Sequence, residues 1–201
     1  MILPTIEPFQ IYSAIVGYLL GSLSFGLLFT RMAGKGDIRQ TGSGNIGATN
    51  VLRAGHKILA FMTLIGDSGK GALAALTADY LWGIDSGLIA GLTVVLGHNF
   101  SIWLKFKGGK GVATSLGVLI FTAWPVGLSA CATWLLVAGI FRYSSLAALA
   151  ALSSAPAYAY WMDMHAVAWM AGSLGALAIV RHKGNIARLI KGTESKIGSN
   201  K

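Results

Sequence analysis

The sequence predicts an all-α polytopic membrane protein of seven transmembrane helices, several of them short. The N-terminus is expected outside and the C-terminus in the cytoplasm. Three observations carry this. Hydrophobic residues make up 54% of the 201 residues and charged residues only 11%, less than half the charge of an ordinary soluble domain. The apolar residues fall in long, rarely broken runs, as a hydrocarbon solvent requires. The basic residues cluster in alternate gaps between those runs, which is the positive-inside pattern. At this length the chain is read as one domain, 1–201.

The runs are 10–29, 58–82, 86–104, 112–141, 144–161 and 165–180. No Lys or Arg precedes Arg31, so the first run lacks the positive flank of a cleaved signal and is read as a retained span. Residues 112–141 suffice for one strongly tilted span or two short ones. Trp124 and Pro125 stand near the middle, and proline starts a helix more readily than it continues one, so two short helices are expected. A five-span alternative makes 112–141 re-entrant and keeps the same sidedness. Small residues such as Gly17, Gly21, Gly87 and Gly91 permit close helix contact. No ten-residue alternation of a barrel strand appears.

With seven spans, Arg31, Lys35, Arg39, Arg53, Lys57, Lys105, Lys107, Lys110, Arg142 and the tail residues Arg181, Lys183, Arg188, Lys191, Lys196 and Lys201 share one face. Glu7, Asp79, Asp85 and Asp163 take the other. The net charge of +9 therefore reflects membrane orientation rather than nucleic-acid binding. Cys131 stands alone, which excludes a disulfide framework, and it is read as a small core or lipid-facing residue.

Three glycine-rich stretches lie toward the basic face, each expected to lead into a helix. Glycine lets backbone N–H groups converge on a ligand, and a helix start adds free donors and a positive dipole end, a combination suited to phosphate. The first contains Gly42, Ser43, Gly44, Asn45, Gly47, Thr49 and Asn50, flanked by Arg39 and Arg53. A plain connector has no need of so many oxyanion donors, and Arg offers a fork that fits phosphate. The second, 66–71, sets Asp67 and Lys70 within an apolar run. They read either as a neutralising pair three residues apart or as the wall of a site, with Lys70 the contact. The third carries Lys105, Lys107, Gly108, Gly109, Lys110 and Gly111. Neither Gly109-Lys110 nor Gly69-Lys70 is followed by Ser or Thr, so neither is a nucleotide-binding P-loop.

Among the histidines, His98 reads first as a packing residue, and His56 and His165 as interfacial. His182 and Asn185 are three apart on one helix face. Glu194 is the only acid of the basic tail and is expected to tie it down. No pair of histidines has metal-ligand spacing, and no Ser–His–Asp set can be named. The His-x4-Asp pattern of soluble-donor acyltransferases is absent, since Trp103 follows His98 and Ala187 follows His182 at that distance.

Taken in order, Gly21-Ser22, the loop Arg39 to Arg53, Gly66-Asp67 with Lys70-Gly71, and Gly97-His98-Asn99-Phe100-Ser101 form a recognisable series. Phe106-Lys107-Gly108-Gly109-Lys110-Gly111-Val112-Ala113-Thr114 continues it. Arg181-His182, Asn185-Ile186, Arg188-Leu189, Gly192-Thr193-Glu194 and Lys196 close it. The chain resembles the bacterial acyl-phosphate:glycerol-3-phosphate acyltransferase family from the first span to the tail. The resemblance implies transfer of a fatty acyl group from acyl phosphate to the sn-1 hydroxyl of glycerol 3-phosphate, giving lysophosphatidate and phosphate. It implies a plasma-membrane enzyme whose motifs face the cytoplasm, with no cofactor, metal or nucleotide and no need of CoA or acyl carrier protein. By position it makes Ser43, Arg53, His182 and Asn185 catalytic, the 107–111 loop a glycerol-phosphate site, and Glu194 structural. The residues alone leave two other classes open: an anion transporter, with polar groups at mid-membrane on broken helices, and a lipid-binding scaffold using only the basic tail.

Overall fold

The computed structural model describes residues 7–198, so Lys201 lies outside the described residues. Among these, every regular element is helical. The helices are α1 (Pro8–Gly21), α2 (Phe25–Met32), α3 (Ala48–Arg53), α4 (Lys57–Trp82), α5 (Ile84–Asn99), α6 (Val112–Thr122), α7 (Trp124–Phe141), α8 (Ser144–Trp161), α9 (His165–Arg181) and α10 (Lys183–Ile190). Four stretches are long and apolar enough to cross a membrane: Pro8–Met32, Lys57–Trp82, Ile84–Leu104 and Trp124–Phe141. Val112–Thr122 and His165–Arg181 are apolar but shorter.

The expected break within 112–141 is present. Ala123 leaves the helical conformation between α6 and α7, and Pro125 sits in the first turn of α7, where its missing N–H costs nothing. Gly127 lies against the backbone of Leu119 and Ile120, so α7 folds back along α6.

The first apolar run is not one helix. It breaks between Gly21 and Phe25. Broken backbone at membrane depth persists only where protein satisfies it. Here the Lys70 ammonium donates to the Gly21 carbonyl at 2.9 Å and to that of Leu23. The Ser101 hydroxyl donates to the Ser22 carbonyl at 2.6 Å.

The second glycine stretch corrects an expectation. α4 runs unbroken through 66–71, so there is no helix start and there are no free N–H donors in it. Two of its glycines serve packing instead. Gly66 faces the Phe25 ring, and Gly71 faces the Thr114 carbonyl and Val118. A side chain at either position would push α2 or α6 off α4.

α1 packs along α5, α4 against α5 and α6, and α8 between α7 and α9. The core is built of small and branched residues such as Ala75, Val94, Val118, Ala130, Ala151 and Ala171, with Leu119, Leu152 and Leu174 filling between them. A second cluster of Leu27, Ile38, Val51 and Ala60 anchors the first loop.

Candidate active site

The first loop is organised by Asn50. Its buried amide donates to the carbonyls of Ile38, Thr41 and Asn45 at 2.8–3.0 Å. Its Oδ1 accepts from the Ser43 N–H at 2.9 Å and the Ser43 hydroxyl at 3.2 Å. Asn50 therefore folds residues 41–45 into a cup above α3. Gly42 and Gly44 have φ of 58° and 70°, a left-handed conformation that side chains disfavour. Arg39 does not join the cup. It pairs with Asp37 through its Nε at 2.9 Å, and these hydrogen bonds hold the Asp37 carboxyl well below the usual carboxylate range.

The third stretch is a tight turn. The Gly109 N–H donates to the His98 carbonyl at 2.9 Å. Arg181 donates to the carbonyls of Gly108 and Gly109 at 2.8 and 3.0 Å. Gly111 has φ 76° and caps the N-terminus of α6. Lys110 is half-buried beyond this turn. Burial, reinforced by the cations Arg188, Arg53 and Arg181 against the opposing Glu194 charge, lowers its pKa to about 8.

The tail closes the third side. His182 ends α9 and Asn185 lies on α10, both buried. The His182 Nδ1 lies 2.7 Å from the Ala178 carbonyl, which can only accept. Nδ1 thus carries the hydrogen and Nε2 keeps a free lone pair. Burial and then the Lys110 charge push the His182 pKa down to about 4, so the ring is neutral near pH 7. Glu194 accepts from Ser145 at 2.7 Å, Asn185 at 2.7 Å and Arg188 at 2.7 Å. Burial raises its pKa, but these donors outweigh burial and it ends below its ordinary value. Arg53 donates to the Ser195 carbonyl at 3.1 Å, which holds the tail over the first loop.

These pieces line one cavity of about 450 Å³. Its polar wall brings together Ser43, Asn45, Gly47, Thr49, Asn50, Arg53, Lys110, Gly111, His182, Asn185 and Glu194. Its apolar wall is formed by Leu64 and Ile65 of α4, Leu116 and Ile120 of α6, and Trp134 and Leu135 of α7. Gly42, Gly44, Gly108 and Gly109 shape the turns but do not line it.

Lys107 is exposed and does not line the cavity, so of the lysines and glycines at 107–111 only Lys110 and Gly111 reach it. Lys70 is not a cavity contact either. Its ammonium is used within the bundle, 3.2 Å from Asp67, and it is Asp67 that reaches the wall. The reason is the broken first span, whose free carbonyls at Gly21 and Leu23 draw the lysine away from the cavity.

The sequence reading missed His98, Ser144, Ser145 and Cys131 as lining residues. Only His98, beside the glycine turn, offered a signal. Ser144 and Ser145 open an ordinary apolar helix, and the Thr49 to Ser144 contact at 3.2 Å spans 95 positions.

The model of the glycerol-3-phosphate acyltransferase family matches residues 11–192. The chain belongs to this family. It is an acyltransferase of a helical, membrane-integral kind. A glycerol-3-phosphate acyltransferase of Rhodospirillum rubrum is 60% identical over 196 residues, covering 94% of this chain and 91% of that one. A namesake from Paramagnetospirillum magneticum is 56% identical, covering 92% of each. Two crystal structures of PlsY (YgiH), an integral membrane glycerol 3-phosphate acyltransferase, superpose with TM-scores of 0.89 and 0.85 at 41% identity. They cover 94% of this chain and 96% and 95% of those. The first is the glycerol 3-phosphate form and the second the lysophosphatidic acid form.

Proposed function

We propose that this family member transfers a fatty acyl group from acyl phosphate to the sn-1 hydroxyl of glycerol 3-phosphate, releasing lysophosphatidate and inorganic phosphate. The observation that carries the reading is the two-sided cavity: cations, hydroxyls and a neutral imidazole at one end, aliphatic and aromatic walls at the other. A substrate pair with two phosphates and one fatty chain matches both ends.

Arg53 and Lys110 hold the glycerol phosphate, and the bare Nε2 of His182 faces the acceptor's hydroxyl. Ser43, Asn45, Thr49 and nearby N–H groups hold the acyl phosphate, with Asn185 kept in place by Glu194. The glycerol hydroxyl oxygen attacks the acyl carbonyl carbon. The new ester C–O bond forms, the acyl–phosphate C–O bond breaks, and the departing phosphate takes the electron pair. The hydroxyl proton goes to the free Nε2 of His182 or to that phosphate. Acyl phosphate has a good leaving group, so positioning and charge stabilisation suffice without a covalent acyl-enzyme. Supporting this, the Ser43 hydroxyl is bonded to an amide oxygen of Asn50, not to a base that would activate it as a nucleophile. The polar groups gather at one end of the bundle, which disfavours the transporter reading, and the cavity goes beyond what a scaffold needs.

We place the active site on the cytoplasmic side of the bacterial inner membrane, in a chain crossing seven times with its N-terminus outside. The basic gaps and the acidic opposite ends support this sidedness. At about 1.5 Å per residue, the 11 residues of α6 cover roughly half of a hydrocarbon core of about 30 Å.

The direct test supplies the purified protein with palmitoyl phosphate and glycerol 3-phosphate and follows phosphate and lysophosphatidate. Both should appear in equal amounts. Absence of turnover, with turnover restored by an acyl-CoA or acyl carrier protein donor, would overturn the choice of donor. The pH dependence adds a second check. A His182 pKa near 4 keeps the free imidazole neutral from pH 6 upward, so kcat/KM should show no acidic limb from His182 above pH 6. A limb near 6.5 that vanishes in His182→Asn would contradict the buried, cation-flanked setting.

A further inference from the structure

The catalytic scheme leaves the buried His98, on the cavity wall, without a task. His98 lies in the last turn of α5 and lines the cavity beside the Lys110 turn. Its Nδ1 lies 2.9 Å from the Lys70 ammonium. An ammonium has three hydrogens and no lone pair. Those of Lys70 meet three acceptors: the carbonyls of Gly21 and Leu23 and the His98 Nδ1. Asp67 balances the charge at 3.2 Å as an ion pair, while its Oδ1 lacks an aligned hydrogen bond. Nδ1 must therefore accept, and the neutral ring carries its hydrogen on Nε2.

Nε2 lies against Gly109, close enough that any Cβ there would strike the ring. The His98 carbonyl receives the Gly109 N–H as well. Backbone and ring of one residue thus brace the turn from which Lys110 and Gly111 reach the cavity.

The hydrogen that Lys70 gives to the His98 Nδ1 turns the opposite N–H of the ring toward the turn.

We infer that His98 is a further substrate-binding residue, whose Nε2–H donates to an oxyanion of a phosphate group held in the cavity. Lys70 is the positioning residue that sets the tautomer and the ring. The donor chemistry is the same for the phosphate monoester of the acceptor and for the phosphate of the acyl donor. The inference rests on the reaction proposed above for its kinetic arm only.

The experiment compares parent, His98→Gln and His98→Asn in lipid nanodiscs. Gln places an amide N–H near the Nε2 position, whereas Asn reaches only the Nδ1 position. His98→Asn should raise the KM of either glycerol 3-phosphate or palmitoyl phosphate about tenfold, and the substrate affected identifies which phosphate is held. His98→Gln should recover to within about threefold of the parent. Parental KM values for both substrates in His98→Asn, or a fall confined to kcat in both variants, would overturn the inference. A second arm needs neither turnover nor a stable variant. Parent protein with 15N-labelled histidine is titrated with glycerol 3-phosphate and with inorganic phosphate. The His98 signal should show a protonated Nε2 before addition, and that signal should move with at least one ligand. An unprotonated Nε2, or one unmoved by both, sinks the proposal. A parent inactive with palmitoyl phosphate removes the donor reading and leaves this arm standing.

Discussion

Lys110→Ala should cut kcat/KM for glycerol 3-phosphate by about tenfold to a hundredfold or more. A charge-assisted hydrogen bond contributes roughly 1.5–3 kcal/mol, and about 1.4 kcal/mol is a factor of ten. The setting of this lysine adds a signature that simple truncation lacks. Its pKa in the free protein is lowered to about 8, first by burial and then by the surrounding arginines. Below that pH it is a cation, and above it the charge is lost. Parent kcat/KM should therefore fall as pH rises through about 8. Bound dianionic phosphate holds the proton on Lys110, so kcat should stay level across the same range. Lys110→Ala should lack the basic limb, and Lys110→Arg should move it out of range. The measurement is a pH series of both kinetic parameters. A parent limb that persists unchanged in Lys110→Ala would assign the titration elsewhere. Arg53→Ala should show a similar loss and move the limb upward, because Arg53 is one of the cations that lower the Lys110 pKa.

Glu194→Ala should lower stability by about 3 kcal/mol. The carboxylate is the shared acceptor of Ser145, Asn185 and Arg188, and its side chain is 3% exposed. Removing it strands two buried donors and a partly buried guanidinium. Each unsatisfied buried group costs about 1–3 kcal/mol, and breaking a buried pair reaches about 3–5. The pH sign follows from the direction of its pKa. The folded carboxyl lies below its ordinary 4.5. Its contribution is thus fully present above that value and is lost as pH falls toward the folded pKa. Thermal unfolding in detergent should show a lower midpoint for Glu194→Ala at pH 7, with the gap to the parent closing only as pH falls below 4.5. Glu194→Gln should keep a larger share, since its oxygen still accepts from Asn185 or Ser145. An unchanged midpoint at pH 7 would mean the tail is not held through this carboxylate.

The two halves of the cavity differ in how far they could be foreseen. Ser43, Thr49, Arg53 and Lys110 stand in polar, glycine-punctuated loops, where such residues have no packing reason to be. Their chemistry is visible in the order of letters. The apolar wall is not. Leu116, Ile120 and Trp134 are unremarkable members of helices that are apolar all round, and no periodicity separates a residue facing a cavity from one facing lipid. Lys70 failed for a related reason. Its neighbour Asp67 was visible, but the carbonyls of Gly21 and Leu23 that claim it are nearly fifty positions away.

Hydropathy and charge placement by themselves determined a helical membrane chain, its basic and acidic ends, and the break before Pro125, because each follows from solvent preference or from one residue's covalent limits. Tertiary packing alone decided which polar groups meet. It broke the first span, ran α4 straight through its glycines, and folded the tail so that Arg53, Lys110 and His182 share a cavity. The physical reason is that hydrogen-bond partners in a bundle are chosen across helices. A one-dimensional pattern records what each segment prefers as solvent, but not which neighbour it finds there.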